Sequence, residues 1–98
     1  MTAPRTLVAE DCALVLIDLQ EKLLPVMAGQ ETVTQNAVRL VNFARIVDIP
    51  ILACEQVKLG NTVEQISSQW EAVDPIATST FYCFESDEFL TRLNELNR

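Results

Sequence analysis

Histidine is absent from this 98-residue sequence. That absence excludes a Ser-His-Asp triad, a Cys-His dyad and any histidine-ligated metal centre built from this chain alone. Cysteine occurs three times, at Cys12, Cys54 and Cys83. The number is odd, the spacings are long and there is no Cys-x-x-Cys pair, so neither a disulfide framework nor a structural zinc site is indicated. Cys12 and Cys54 border apolar segments and are expected to pack as small hydrophobes; the aromatic neighbours of Cys83 point the same way. Glycine occurs only twice. Residues 58–62 hold one of the two, and they lack the repeated glycines and the Lys-Ser/Thr pair of a phosphate-binding loop. Lys and Arg number 7 against 14 Asp and Glu, a net charge of −7 with the acids spread along the chain, which argues against a nucleic-acid partner, since that would want a basic face. No apolar run reaches membrane-spanning length and residues 1–10 carry no signal-peptide core, so no membrane association and a cytoplasmic location are expected. What the chain does have is 49% hydrophobic residues. That is too apolar for disorder, and the length suits one small domain, so residues 1–98 are read as a single α/β unit.

The stretch that organises the rest is residues 13–20, Ala-Leu-Val-Leu-Ile-Asp-Leu-Gln. Five apolar residues run unbroken from Ala13 to Ile17 before a carboxylate arrives at Asp18. An unbroken apolar run has no solvent face and suits a strand covered on both sides, as in a parallel sheet. Open α/β sheets bind ligands at the carboxyl ends of their strands, which is where Asp18 falls. Partial desolvation there raises an Asp pKa and makes the residue a proton carrier. Asp18 with Glu21 three residues on also fits a capping box opening a short helix. The spacing by itself favours that cap, alone or combined with a site.

Taken in order, residues 1–10 read as an extended lead-in, with Pro4 disfavouring helix. A strand is expected at 12–18, a short helical turn at 21–27 and a helix at 32–47. In that helix Val33, Ala37, Leu40, Val41, Ala44 and Val47 share one face. Phe43 and Ile46 widen the apolar stripe, so the helix is expected to pack on more than a sheet face. Pro50 bars helix just before it, and residues 49–54 read as a second strand, completing a right-handed βαβ unit. Glu55 and Gln56 then end the second strand as Asp18 and Gln20 end the first. The two polar pairs should meet on one rim, either as solvated loop starts or as a pocket. Further on, a short helix is expected at 62–70, a turn at Asp74-Pro75 and a third strand at 76–81, with Phe81, Tyr82 and Phe84 as aromatic cover. Ser86 caps a last helix whose apolar stripe is Phe89, Leu90, Leu93 and Leu96. The first strand, apolar on both faces, belongs in a sheet interior. Its second neighbour would have to come from elsewhere, so an open edge and a partner chain or swapped assembly are expected.

Residues 13–20 resemble the hydrophobic-Ile-Asp-x-Gln opening of the isochorismatase-like cysteine hydrolases. Cys54-Glu55-Gln56 and then Lys58-Leu59-Gly60-Asn61-Thr62-Val63 are similar to the Thr-Glu-Gln and Lys-Leu-Gly-x-Thr-Val stretch of one branch. Residues 75–84 are similar to that branch's Pro-hydrophobic-x-Lys-Thr-x-Phe-Ser segment, and the last helix to the one that follows it. The likeness runs over nearly the whole chain and rests on the order and spacing of moderately specific pieces. It implies a three-layer α/β/α fold around a parallel sheet, Rossmann-like and incomplete in this chain. It also implies a catalytic trio of Asp, Lys and Cys: the thiolate attacks an amide, imidate or vinyl-ether substrate and the Asp handles the proton. No cofactor is implied.

By position the family's Asp is Asp18. The family's Lys falls on Thr78, three residues before Phe81, and a threonine supplies no fixed positive charge. The nucleophilic Cys belongs to the family's second half, beyond the end of this sequence; neither Cys54 nor Cys83 matches it. The resemblance therefore implies the N-terminal half of such a hydrolase, a truncated form inactive by itself. Gln20, Glu55, Gln56, Thr78 and Phe81 would line the pocket. A small-molecule substrate would bind once a second half, from a homo-oligomer or a complementing chain, completes it. The competing reading is a catalytically degenerate α/β interaction subunit, which the Thr78 departure favours. A flavodoxin-like nucleotide binder is opposed by the missing glycine-rich turn after the first strand.

Overall fold

The structure, a computed structural model, describes residues 6–80 and 82–98. Its elements in chain order are β1 (Leu14–Ile17), α1 (Gln30–Ile46), β2 (Ile51–Gln56), α2 (Glu64–Ser67), β3 (Ile76–Thr78) and α3 (Asp87–Glu95). The three strands form one parallel sheet in the order β1-β2-β3, with Ile17 opposite Cys54 and Gln56 opposite Thr78. Successive side chains of a strand point to opposite faces, and β2 divides its residues accordingly. Ala53 joins Leu16, Ala37, Val41, Val63 and Ile66 under α1 and α2. Leu52 and Cys54 join Ile76, Cys83 and Phe89 under α3. Two cores on one sheet make the α/β/α layering, which explains why these strands are apolar without alternation.

The α1 helix reaches the sheet through small residues, its buried positions being Ala37, Val41 and Ala44. Asp48 then takes the left-handed conformation (φ 58°) and Pro50 follows, which ends the helix and turns the chain into β2. The wider stripe finds no cover among the described residues: Leu40, Phe43 and Ile46 are 51%, 58% and 80% exposed. The reason lies next to them, since β1 stands last in the strand order and the sheet simply stops beside this flank of α1. The interior position expected for the first strand is therefore not met among the described residues; the open edge expected with it is present.

Other boundaries move as well. The second strand begins two residues later than its apolar run suggests and extends through Glu55 and Gln56, because those two pair with Ala77 and Thr78 of β3. The helix expected at 62–70 shrinks to α2, and β3 ends at Thr78; Phe81 lies outside the described residues. Residues 21–27 contain only a 3-10 turn, Leu24–Val26, with Pro25 near its start and no side-chain cap. Asp18 thus caps no helix among the described residues, which corrects the capping-box reading. Tyr82 and Phe84 are half exposed rather than core cover, and Phe84 meets the buried Phe89 ring edge-on at 5.3 Å.

The last helix matches expectation. Ser86 Oγ accepts a hydrogen bond from the Phe89 N–H at 3.2 Å, and Asp87 and Glu88 occupy the first turn. Ser86→Ala is expected to cost about 1 kcal/mol, read as a lower midpoint in urea unfolding with an unchanged slope.

Candidate active site

Asp18 closes β1. Its N–H donates to the Cys54 carbonyl at 3.1 Å, continuing the ladder one step, and its φ of 58° then turns the chain off the sheet. Asp is one of the few side chains that visits this left-handed region routinely. The residue is 7% exposed. Burial raises the proton affinity of its carboxyl above the usual carboxylate value, and the nearby Gln56 N–H opposes that effect in part. A carboxyl that takes up and releases a proton at the carboxyl end of a parallel strand has the setting of a general acid or base.

The segments after β1 and β2 are strapped together. Glu21 N–H donates to Asn61 O (2.9 Å), Lys22 N–H to Leu59 O (3.0 Å) and Val63 N–H to Leu19 O (2.9 Å). Gln20 is fully enclosed. Its Nε2 donates to the carbonyls of Gln56 (2.8 Å) and Gly60 (2.6 Å), and its Oε1 accepts from the Gln56 N–H (2.8 Å). Glu55 Oε2 accepts from both the N–H and the hydroxyl of Thr62, each at 2.7 Å. Gln56 Oε1 accepts from the Lys58 N–H at 2.6 Å. Gly60 completes the loop with φ 79°, and a Cβ there would lie 3.0 Å from Glu21 Oε2, so glycine suits the position sterically and conformationally.

The sequence-derived pair meeting is thus realised as a hydrogen-bonded rim: Gln20 meets Gln56, and Glu55 holds the loop that follows. The polar ends of these three side chains are committed to main chain or to Thr62. Thr78 is buried opposite Gln56, and its hydroxyl donates to Thr80 O at 3.0 Å and more weakly to Glu55 O at 3.5 Å. Gly60 and Thr62, part of the Lys58–Val63 stretch that carries the resemblance, contribute structurally: one gives the turn and a carbonyl, the other holds Glu55.

Cys54 and Cys83 are buried together under α3. Burial, then the adjacent Cys83 and the negative Asp18, push the Cys54 thiol up to about 12, with Arg92 opposing slightly. A thiol so disposed stays protonated and is a poor nucleophile. Among the described residues no group of three or more Cys, Asp or Glu is arranged to hold a metal ion.

Open space is distributed unevenly. A cavity of about 190 Å3 lies beside Thr78, between Ala77, Thr80 and Ser86. A larger apolar one of about 560 Å3 lies at the other end of β1, between Cys12, Leu14, Leu40 and Phe43. A shallow depression of about 370 Å3 follows the open side of β1, over Val15, Ile17, Val33 and Leu40. Leu40 belongs to both of the last two, so the bare flank of α1 and the free edge of β1 form one apolar surface.

Comparison with known proteins gives a consistent picture. Residues 12–96 match the family model described as "Isochorismatase domain". The chain is 36% identical over 74 residues to the mouse (Mus musculus) protein named isochorismatase domain-containing protein 2A, an alignment covering 74% of this chain and 35% of the mouse one. Among solved structures it is similar to the MAR1 ribonuclease of Caenorhabditis elegans, with 26% identity, a TM-score of 0.81 and coverage of 92% of this chain and 48% of the other. It also shares its fold with YcaC from Pseudomonas aeruginosa, solved with hexane-2,5-diol and covalent acrylamide. That likeness has 17% identity and a TM-score of 0.85, covering 100% of this chain and 52% of that one. The chain therefore spans about a third of the curated relative and about half of the solved ones.

Proposed function

The chain belongs to the isochorismatase family, and from that premise we propose that it is one half of a hydrolase site in which Asp18 is the proton carrier. A second polypeptide segment, seated along β1, brings the nucleophile; the chain by itself is inactive. The substrate class is small molecules with an amide, imidate or vinyl-ether bond, and the site of action is the cytoplasm. The observation that carries the reading is the placement of Asp18, desolvated and turned out of the sheet at the carboxyl end of β1. The free edge of β1 beside exposed Leu40, Phe43 and Ile46 supports completion from outside. An open strand edge invites pairing, and such a patch is characteristic of an interface. No helix among the described residues is long and apolar enough to cross a membrane.

The test is an assay of the purified chain on primary amides and vinyl ethers, together with its mass in solution. We expect no turnover, and a native mass above the 11.0 kDa of one chain. Asp18-dependent turnover by the monomer would overturn the requirement for completion. A strictly monomeric chain at micromolar concentration would remove association.

A second reading, a degenerate interaction subunit, is favoured by Thr78, whose hydroxyl is taken up by main-chain carbonyls where the family places a cation. Asp18 and Thr78 end strands two positions apart, a lateral separation of roughly 10 Å, within reach of a long side chain at one of them. Thr78→Lys is therefore expected to lower the Asp18 pKa, followed by carbon-detected NMR of the carboxyl. An unchanged Asp18 titration would mean that position 78 does not face the proton carrier.

A further inference from the structure

In a parallel ladder, main-chain bonds alternate from one strand to the two residues flanking its partner. After Asp18 N–H has bonded Cys54 O, the next bond would join the Gln56 N–H to the Asp18 carbonyl. Here that N–H goes to Gln20 Oε1 instead, and Gln20 Nε2 returns a bond to Gln56 O. The side-chain amide of Gln20 therefore exchanges both bonds with Gln56, in the manner of an antiparallel pair, where the next step of the parallel ladder would have been. The second Nε2 hydrogen reaches Gly60 O, so both amide donors and the acceptor oxygen are used. Gln20 has no exposed surface and Gln56 is buried, so breaking the pair leaves buried main-chain groups of Gln56 unpaired.

We infer that Gln20 is a positioning residue for the Asp18 carboxyl: it fixes the left-handed turn that sets Asp18 on the rim, and it competes with the carboxylate for the Gln56 N–H. The second half of this statement follows from competition. The Gln56 N–H is the one hydrogen bond that favours the ionised form of Asp18, and Gln20 Oε1 accepts from it at 2.8 Å. Of the ionisable groups near Asp18, Cys54 carries no charge in its protonated state, and Cys83 and Arg92 bear on Cys54 rather than on Asp18. No full charge therefore makes up for the share of that N–H that Gln20 takes.

The inference rests on reading Asp18 as the proton carrier, and the experiment separates the two. The Asp18 carboxyl is titrated by NMR in the whole chain and in Gln20→Leu, which keeps the bulk and removes the amide. We expect a wild-type midpoint above the ordinary carboxylate range and a lower midpoint in Gln20→Leu, as the released N–H turns to the carboxylate. A raised wild-type midpoint that Gln20→Leu leaves in place, at whatever cost in stability, overturns the role of Gln20 and spares that of Asp18. An ordinary wild-type midpoint overturns the proton-carrier reading itself. A second measurement on the wild type decides the matter should the variant not fold, or should Asp18 titrate normally. Scalar coupling across the hydrogen bond from Gln56 15N to the Gln20 side-chain carbonyl carbon is expected; coupling to the Asp18 carboxyl carbon in its place overturns the inference.

Discussion

Replacing Phe89 with alanine is expected to destabilise the protein by about 3–5 kcal/mol, the usual cost of emptying a fully buried phenylalanine site. Phe89 is 1% exposed and packs with Leu52, Cys54, Ile76 and Cys83. Phe84 covers its edge from the half-exposed side. It is the one fully buried side chain of α3; Leu90 is exposed, and Leu93 and the C-cap Leu96 are only partly covered. Domains of this size are stable by roughly 5–15 kcal/mol in total, so the loss would consume a large share of the margin. Urea unfolding followed by the fluorescence of Trp70, the single tryptophan, measures it directly. A change within about 0.5 kcal/mol, the scale of an ordinary surface substitution, would mean that α3 does not dock on this face of the sheet.

Asp18→Asn is expected to move activity and stability in opposite directions. In a completed catalytic unit, loss of the proton carrier should lower turnover about 10²–10⁴-fold. The fold, in contrast, should gain stability at neutral pH. The folded-state pKa of Asp18 lies above its unfolded value because burial penalises the charge. Below the unfolded value both states are protonated and the residue costs nothing. As pH rises from there through the raised folded value, the unfolded state ionises first and wild-type stability falls. Asparagine cannot ionise and adopts the left-handed conformation as readily. The difference between the two proteins should open over that window and stay constant above it, in thermal melts at matched pH. Taking the difference cancels the self-repulsion of a chain with net charge −7. A wild type more stable than Asp18→Asn at neutrality would mean that the carboxylate is paired and held charged, and unsuited to the proposed role.

Several features could be read without coordinates because they depend on neighbours in sequence. The unbroken run from Ala13 to Ile17 announces a strand covered on two faces. Val33, Ala37, Val41 and Ala44 recur at the helical period, and Ser86 stands three residues before the N–H that it caps. The placement of Asp18 after an apolar run, and the meeting of its rim with Glu55 and Gln56, follow from βαβ topology. Other features could not be read this way. Glu55 and Gln56 are polar and looked like loop starts, yet pairing with Ala77 and Thr78 draws them into β2. The Asp18-Glu21 spacing suited a helix cap, but strapping to residues 59–63 holds that segment away from helix. Gln20 looked like a pocket residue by position; its amide is spent on main chain from two other segments.

The amino-acid order alone determined the class of fold, the family, and the acid at the tip of the first strand, because hydrophobic period, turn residues and motif spacing are local quantities. Only the tertiary structure decided which polar groups are free to act. A side-chain amide or carboxylate is claimed by whichever buried main-chain group comes within hydrogen-bonding distance, and here those groups lie up to 40 residues away. The same holds for the exposed stripe on α1: its periodicity is written in the chain, but whether anything covers it depends on what lies beyond β1.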